Sequence, residues 1–128
     1  MRALLDTHAF LWWVLDSARL SNTAFQLIAD ESNDIVVSAA SAWEITTKHR
    51  IGKLPEAEVV AADVAGNIAA QGFEALAIGI VDAERAGRLP GIHRDPFDRM
   101  LIAQALGHEL SIVSIDALFD RYGVNRLW

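Results

Sequence analysis

Twice in this chain a short apolar run stops at an aspartate and gives way to a helical pattern. Ala3-Leu4-Leu5 ends in Asp6-Thr7-His8, and Ser111-Ile112-Val113-Ser114-Ile115 ends in Asp116. Short apolar runs alternating with helical stretches describe buried strands in a parallel sheet, with helices on both faces. In such sheets ligands bind outside the carboxyl ends of the strands. Asp6 and Asp116 therefore fall on one edge.

A third acid joins them from a helix start. In Arg94-Asp95-Pro96-Phe97-Asp98-Arg99, Asp95 suits an N-cap and Pro96 the first helical position, where its missing N–H costs nothing. Asp98 then lies in the first turn, where the helix dipole favours an anion. The residues after it, Met100 to Ala103, are apolar and predict a buried helix running to Gly107, which leads into the strand at Ser111. As a lone acid Asp98 would be read as a dipole partner. Its convergence with Asp6 and Asp116 makes it a site candidate.

Between these points the pattern predicts a helix over 9–15 capped by Thr7, a helix from Ser21 to about Asp30 and a strand over 34–37. A helix follows that contains Trp43-Glu44-Ile45, is capped by Ser38 or Ser41, and ends near Gly52. An Ala- and Val-rich helix over 55–70 stops at Gly72, and 73–77 is the third strand. A short helix over 80–87, a loop over 89–93, a last helix over 118–122 and a final strand within 124–128 complete the reading. Two points stay open. Glu44 either pairs with Lys48 on a solvated helix face or joins the acidic edge, because it follows the second strand. The first helix, Phe10-Leu11-Trp12-Trp13-Val14-Leu15, is apolar all round, so it is either sandwiched within the monomer or presents Phe10, Trp12 and Trp13 to a partner.

At 128 residues the chain reads as one domain, 1–128. No apolar run approaches the length of a membrane span, and an acid interrupts the first apolar stretch, so neither a span nor a signal peptide is expected. The lack of cysteine excludes disulfides and thiolate metal sites and fits a cytoplasmic protein. A net charge of −6 argues against binding nucleic acid through a basic surface alone. Bound divalent cations would offset that charge.

Asp6, Glu44, Asp98 and Asp116 are hard oxygen donors that suit Mg²⁺ or Mn²⁺. Crowded carboxylates repel one another and favour a bound cation. Such a cation activates water and offsets charge at a phosphorus centre. The histidines, His8, His49, His93 and His108, fit no H-E-x-x-H spacing, and neither phosphate-binding glycine motif is present. Arg94 and Arg99 flank Asp98 and could meet a phosphate or pair with neighbouring acids.

Asp6-Thr7-His8 after the first strand, Trp43-Glu44-Ile45, Asp95-Pro96-Phe97-Asp98-Arg99 with Ile102-Ala103, and Ser114-Ile115-Asp116 together resemble the PIN domain, most closely the VapC-type toxins. The resemblance implies a three-layer α/β/α fold with a central parallel sheet of about four or five strands. It implies a Mg²⁺- or Mn²⁺-dependent endoribonuclease in which Asp6, Glu44, Asp98 and Asp116 form the catalytic and metal-binding set, with Thr7, Ser114 and Arg99 lining it. It further implies an RNA substrate, a VapB-like antitoxin, a homodimer, and contact with operator DNA only through the antitoxin. Ser114 stands where the family often has threonine and keeps the hydroxyl. Two other readings remain: a phospho-acceptor domain with Asp6 as nucleophile, though His8 stands where a second acid is commonly wanted, and a non-catalytic module holding a structural divalent cation.

Overall fold

The computed structural model describes residues 1–91 and 94–128. A five-stranded, wholly parallel sheet runs through it in the order β3-β2-β1-β4-β5. Its strands are β1 (Arg2–Leu5), β2 (Asp34–Ser38), β3 (Glu74–Leu76), β4 (Ser111–Val113) and β5 (Arg126–Leu127). The chain builds outward from β1 to β3, then returns to the other side of β1 to lay down β4 and β5. The order reverses at β1, beside β4, and parallel sheets form their ligand crevices at such a reversal.

Alternation along the strands sorts side chains into two cores. Ala3, Leu5, Ile35, Val37 and Val113 face one layer, where they meet α1 (Thr7–Val14), α2 (Asn22–Ala29), α3 (Ala39–Arg50), α4 (Glu58–Ala62) and α5 (Val64–Ala70). Leu4, Val36 and Ile112 face the other, against Leu101, Ile102 and Ala105 of α7 (Pro96–Gly107), with Phe119 and Val124. The helix α6 (Ile80–Arg88) packs on α7. Layers of helix on both faces of a parallel sheet are the arrangement expected from the alternation of strands and helices.

Three local expectations are corrected. The helix over 55–70 is broken into a 3-10 turn (Pro55–Ala57), α4 and α5. Asp63 leaves the helical conformation (φ −157, ψ 75) and its carboxylate accepts from Gly66 N at 2.9 Å, so it caps a new helix. The cap of α1 is Asp6, which accepts from Ala9 N at 2.8 Å, and Thr7 is the first helical residue. Residues 117–122 form a 3-10 helix closed by Gly123 at φ +77, a left-handed position that favours glycine. Ser38 is the residue that caps α3. His93 and part of the loop over 89–93 lie outside the described residues.

The first helix is mostly sandwiched. Phe10 and Leu11 are fully buried, while Trp12 and Trp13 are half-buried against rings of the same chain. Trp13 meets Phe25 and Phe73 with centroids 5.4 and 6.3 Å apart, and Trp12 meets Trp128 at 5.8 Å. Phe10 is thus core rather than partner surface. Among the described residues no helix is long and apolar enough to cross a membrane.

Candidate metal centre

Asp6 leaves the end of β1 directly beside β4. Its backbone N–H donates to Val113 O at 3.1 Å, continuing the ladder one step past the strand. The side chain is 7% exposed. Burial pushes its carboxyl pKa up against hydrogen bonds from Ser114 and the Ala9 N–H and the charge of His8, and the Glu44 carboxylate pushes the same way as burial.

Ser114 ties Asp6 to Asp116. Its side chain is fully buried and acts to lower the Asp6 carboxyl pKa, while its Oγ accepts from the Asp116 N–H at 2.9 Å. Asp116 itself caps the 3-10 helix through Leu118 N at 2.9 Å. Arg126 lies within the electrostatic reach of Asp116 and holds the Ser114 carbonyl at 3.1 Å and Asp120 at 2.9 Å.

Glu44 stands in the second turn of α3 and is 4% exposed. Thr7 Oγ1 donates to Glu44 Oε1 at 2.5 Å and lies 3.0 Å from Ser41 Oγ, which is also buried. The other carboxylate oxygen accepts from Lys48 Nζ. The pairing expected on a solvated face therefore exists on a buried one, and Glu44 belongs to the acidic edge as well. The two readings of Glu44 are compatible.

Asp98 occupies the first turn of α7, which Asp95 caps by accepting from Phe97 N at 2.9 Å and Asp98 N at 3.2 Å. Lys48 connects this helix start to α3. Its ammonium is 5.8 Å from the Phe97 ring centroid. Partial burial works against its charge, but Glu44, Asp95 and Asp98 outweigh burial and raise its pKa. Lys48 carries no motif, and the sequence alone places it as a surface partner of Glu44. Its i,i+4 spacing from Glu44 was the available signal.

Arg99 also serves the scaffold. Its guanidinium donates to Ala86 O at 3.0 Å and Leu89 O at 2.5 Å, which fastens the end of α6 to α7.

Asp6 and Glu44 are thus both buried and within electrostatic reach of each other, the Asp116 backbone N–H is tied to Ser114, and Asp98 lies within electrostatic reach of Lys48. Among the described residues no three His, Cys, Asp or Glu side chains stand together closely enough to enclose a metal ion. The donor chemistry is what suits a divalent cation: all-oxygen ligands, with one buried carboxyl group whose charge is opposed by burial and by a neighbouring carboxylate.

The arrangement defines a parallel α/β domain with an acidic edge at the point where strand order reverses. The sequence matches the PIN domain over residues 3–125, and the chain belongs to that family. It is similar to ribonuclease VapC16 of Mycobacterium tuberculosis (strain ATCC 25618 / H37Rv), with 49% identity over 37 residues; the match spans 29% of this chain and about a quarter, 26%, of that relative. In three dimensions it resembles VapBC2 from Rickettsia felis, solved bound to a promoter DNA fragment, with a TM-score of 0.69, 14% identity, and 98% and 97% of the two chains covered. It also resembles M. tuberculosis VapC20, described as a Sarcin-Ricin loop cleaving toxin, with a TM-score of 0.69, 18% identity and 95% of each chain covered. A third likeness is to FitAcB from Neisseria gonorrhoeae, with a TM-score of 0.64, 17% identity, and 97% and 95% covered. At these identities the structural likeness is one of fold.

Proposed function

We propose that this protein is a VapC-type endoribonuclease that hydrolyses RNA phosphodiester bonds with Mg²⁺ or Mn²⁺ and is restrained by a VapB-like antitoxin. The observation that carries the reading is the burial of Asp6, at the end of β1, close to Glu44, in the second turn of the helix that follows β2. Membership of the PIN family, the ribonuclease relative and the toxin–antitoxin complexes of similar fold support it. Asp6, Asp98 and Asp116, with Glu44, would hold the cation. When bound, the cation supplies an activated water and offsets charge at the scissile phosphate.

The chain's own residues prepare that chemistry. The Ala9 N–H fixes the Asp6 carboxylate, and Thr7 fixes that of Glu44. Such supporting hydrogen bonds set the orientation of ligands. A homodimer, and contact with operator DNA through the antitoxin, belong to the same reading.

Purified protein incubated with RNA, in Mn²⁺ or in EDTA, tests it. Cleavage that needs the cation and disappears in both Glu44→Gln and Asp98→Asn is expected. Cation binding without cleavage would instead support the non-catalytic module. A trapped aspartyl-phosphate at Asp6 would support the phospho-acceptor reading.

A further inference from the structure

The Lys48 ammonium is shared between the Glu44 carboxylate and the start of α7. Its side chain is 30% exposed, whereas that of Glu44 is 5% exposed, so the charge pair is sunk into the edge rather than laid on the surface. Asp95 and Asp98 draw the same ammonium from the facing helix, and Phe97 presents its ring to it. Two elements that carry acids of opposite sides of the site thus converge on a positive charge that belongs to the protein itself.

We propose that Lys48 is the resident counter-cation of the acidic edge, a positioning residue that holds Glu44 in the metal-free protein and competes with a divalent cation for its carboxylate. This inference rests on the metal-dependent reading given above. A buried carboxylate needs a partner. Without metal that partner is Lys48, together with Thr7. A fixed positive charge beside a cation site also repels the incoming ion, because like charges at short range interact strongly where water is partly excluded. Lys48 therefore has opposite effects on the two states: it stabilises the metal-free fold and weakens the hold on metal. A residue with a purely structural role would not separate these effects, since its loss would weaken both.

Lys48→Met keeps the length and apolar stem of the side chain and removes its charge; Lys48→Gln is a second uncharged variant, and Lys48→Arg keeps the charge. Mn²⁺ affinity is read by calorimetry at neutral pH, and Tm is read in EDTA. Lys48→Met and Lys48→Gln should melt below the parent in EDTA and yet bind Mn²⁺ at least about fivefold more tightly. Lys48→Arg should stay close to the parent in both. If the parent binds Mn²⁺ and a folded uncharged variant binds it no more tightly, the inference about Lys48 is overturned while the metal reading stands. If the parent shows no Mn²⁺ binding, both fall together.

Discussion

Thr7 Oγ1 donates to Glu44 Oε1 across 2.5 Å, joining the first residue of α1 to the second turn of α3. Both side chains are buried, so this bond sets the direction of a carboxylate that has little water to solvate it. Thr7→Val keeps the shape and removes the donor. It should lower RNA cleavage by roughly 10–100-fold, the usual effect of losing a bond that orients a ligand. It should also cost about 1–3 kcal/mol of stability, because a buried acceptor is left short of a partner. Thr7→Ser should recover most of both. Single-turnover cleavage and denaturant unfolding of the two variants check this, and an unchanged rate in Thr7→Val would remove Thr7 from the site.

What could be read from the sequence follows how local each signal is. Strands β1, β2 and β4 were legible because each is a short apolar run, and Asp6 and Asp116 were legible because they end two of those runs. Glu44 was ambiguous for a physical reason: its spacing to Lys48 is identical on a solvated face and on a buried one, and only tertiary packing decides. Thr7 looked like a cap because threonine often is one. Asp6 takes that role, which frees the Thr7 hydroxyl to turn inward. The break at Asp63 was hidden because α4 and α5 share one composition and a lone acid interrupts neither. The inward reach of Lys48 and the bonds from Arg99 to Ala86 and Leu89 depend on contacts between separate helices, which no local pattern encodes.

Away from the acidic edge, Asp82 of α6 gives a pH-dependent prediction. It is buried, caps α6 through Gly79 N at 2.9 Å, and is approached by Gln104 Nε2 at 3.3 Å and His108 Nε2 at 3.0 Å. Gln104, itself fully buried, carries the connection to Ser38 at 2.5 Å, the cap of α3. Burial works against the Asp82 charge, but Gly79, Gln104 and His108 outweigh it, and its carboxyl pKa is lowered from 3.8. A carboxyl group with a lowered folded pKa contributes stability above its unfolded value and loses it as pH falls through the folded one. Asp82→Asn should therefore cost about 1–3 kcal/mol at neutral pH. The gap between parent and variant should narrow as pH drops below 3.8. Urea unfolding at a series of pH values tests this; a gap that is constant with pH would mean that Asp82 acts by shape alone.

Trp13 separates monomer stability from assembly. Its ring packs on Phe25 and Phe73, and its Nε1 donates to Gln71 Oε1 at 2.9 Å. Trp13→Ala should lower stability by about 2–4 kcal/mol through lost packing. That loss should be the same at every protein concentration. Trp12 has fewer such ties, meeting Trp128 and His8. If α1 also serves a partner, Trp12→Ala should weaken dimerisation or antitoxin binding more than it lowers the melting point. Ultracentrifugation and unfolding at several concentrations distinguish the two, and unchanged association in both variants would confine the tryptophans to the monomer.

Asp98 sets stability against activity. In the metal-free protein it adds negative charge within reach of Lys48, whose ammonium also serves the buried Glu44. Asp98→Asn keeps the shape and removes the charge, so in EDTA it should be neutral or stabilising. A ligand that binds only the folded state raises stability according to its affinity. The rise in Tm given by saturating Mg²⁺ or Mn²⁺ should accordingly shrink in the variant, and RNA cleavage should nearly vanish, because cation and activated water are lost together. Were Asp98 only a helix-dipole acid at the start of α7, the variant would lose roughly 0.3–1 kcal/mol with or without metal, and cleavage would survive. Melting parent and variant side by side, in EDTA and in Mn²⁺, decides between these outcomes. An equal metal-induced shift in both proteins would take Asp98 out of the metal centre.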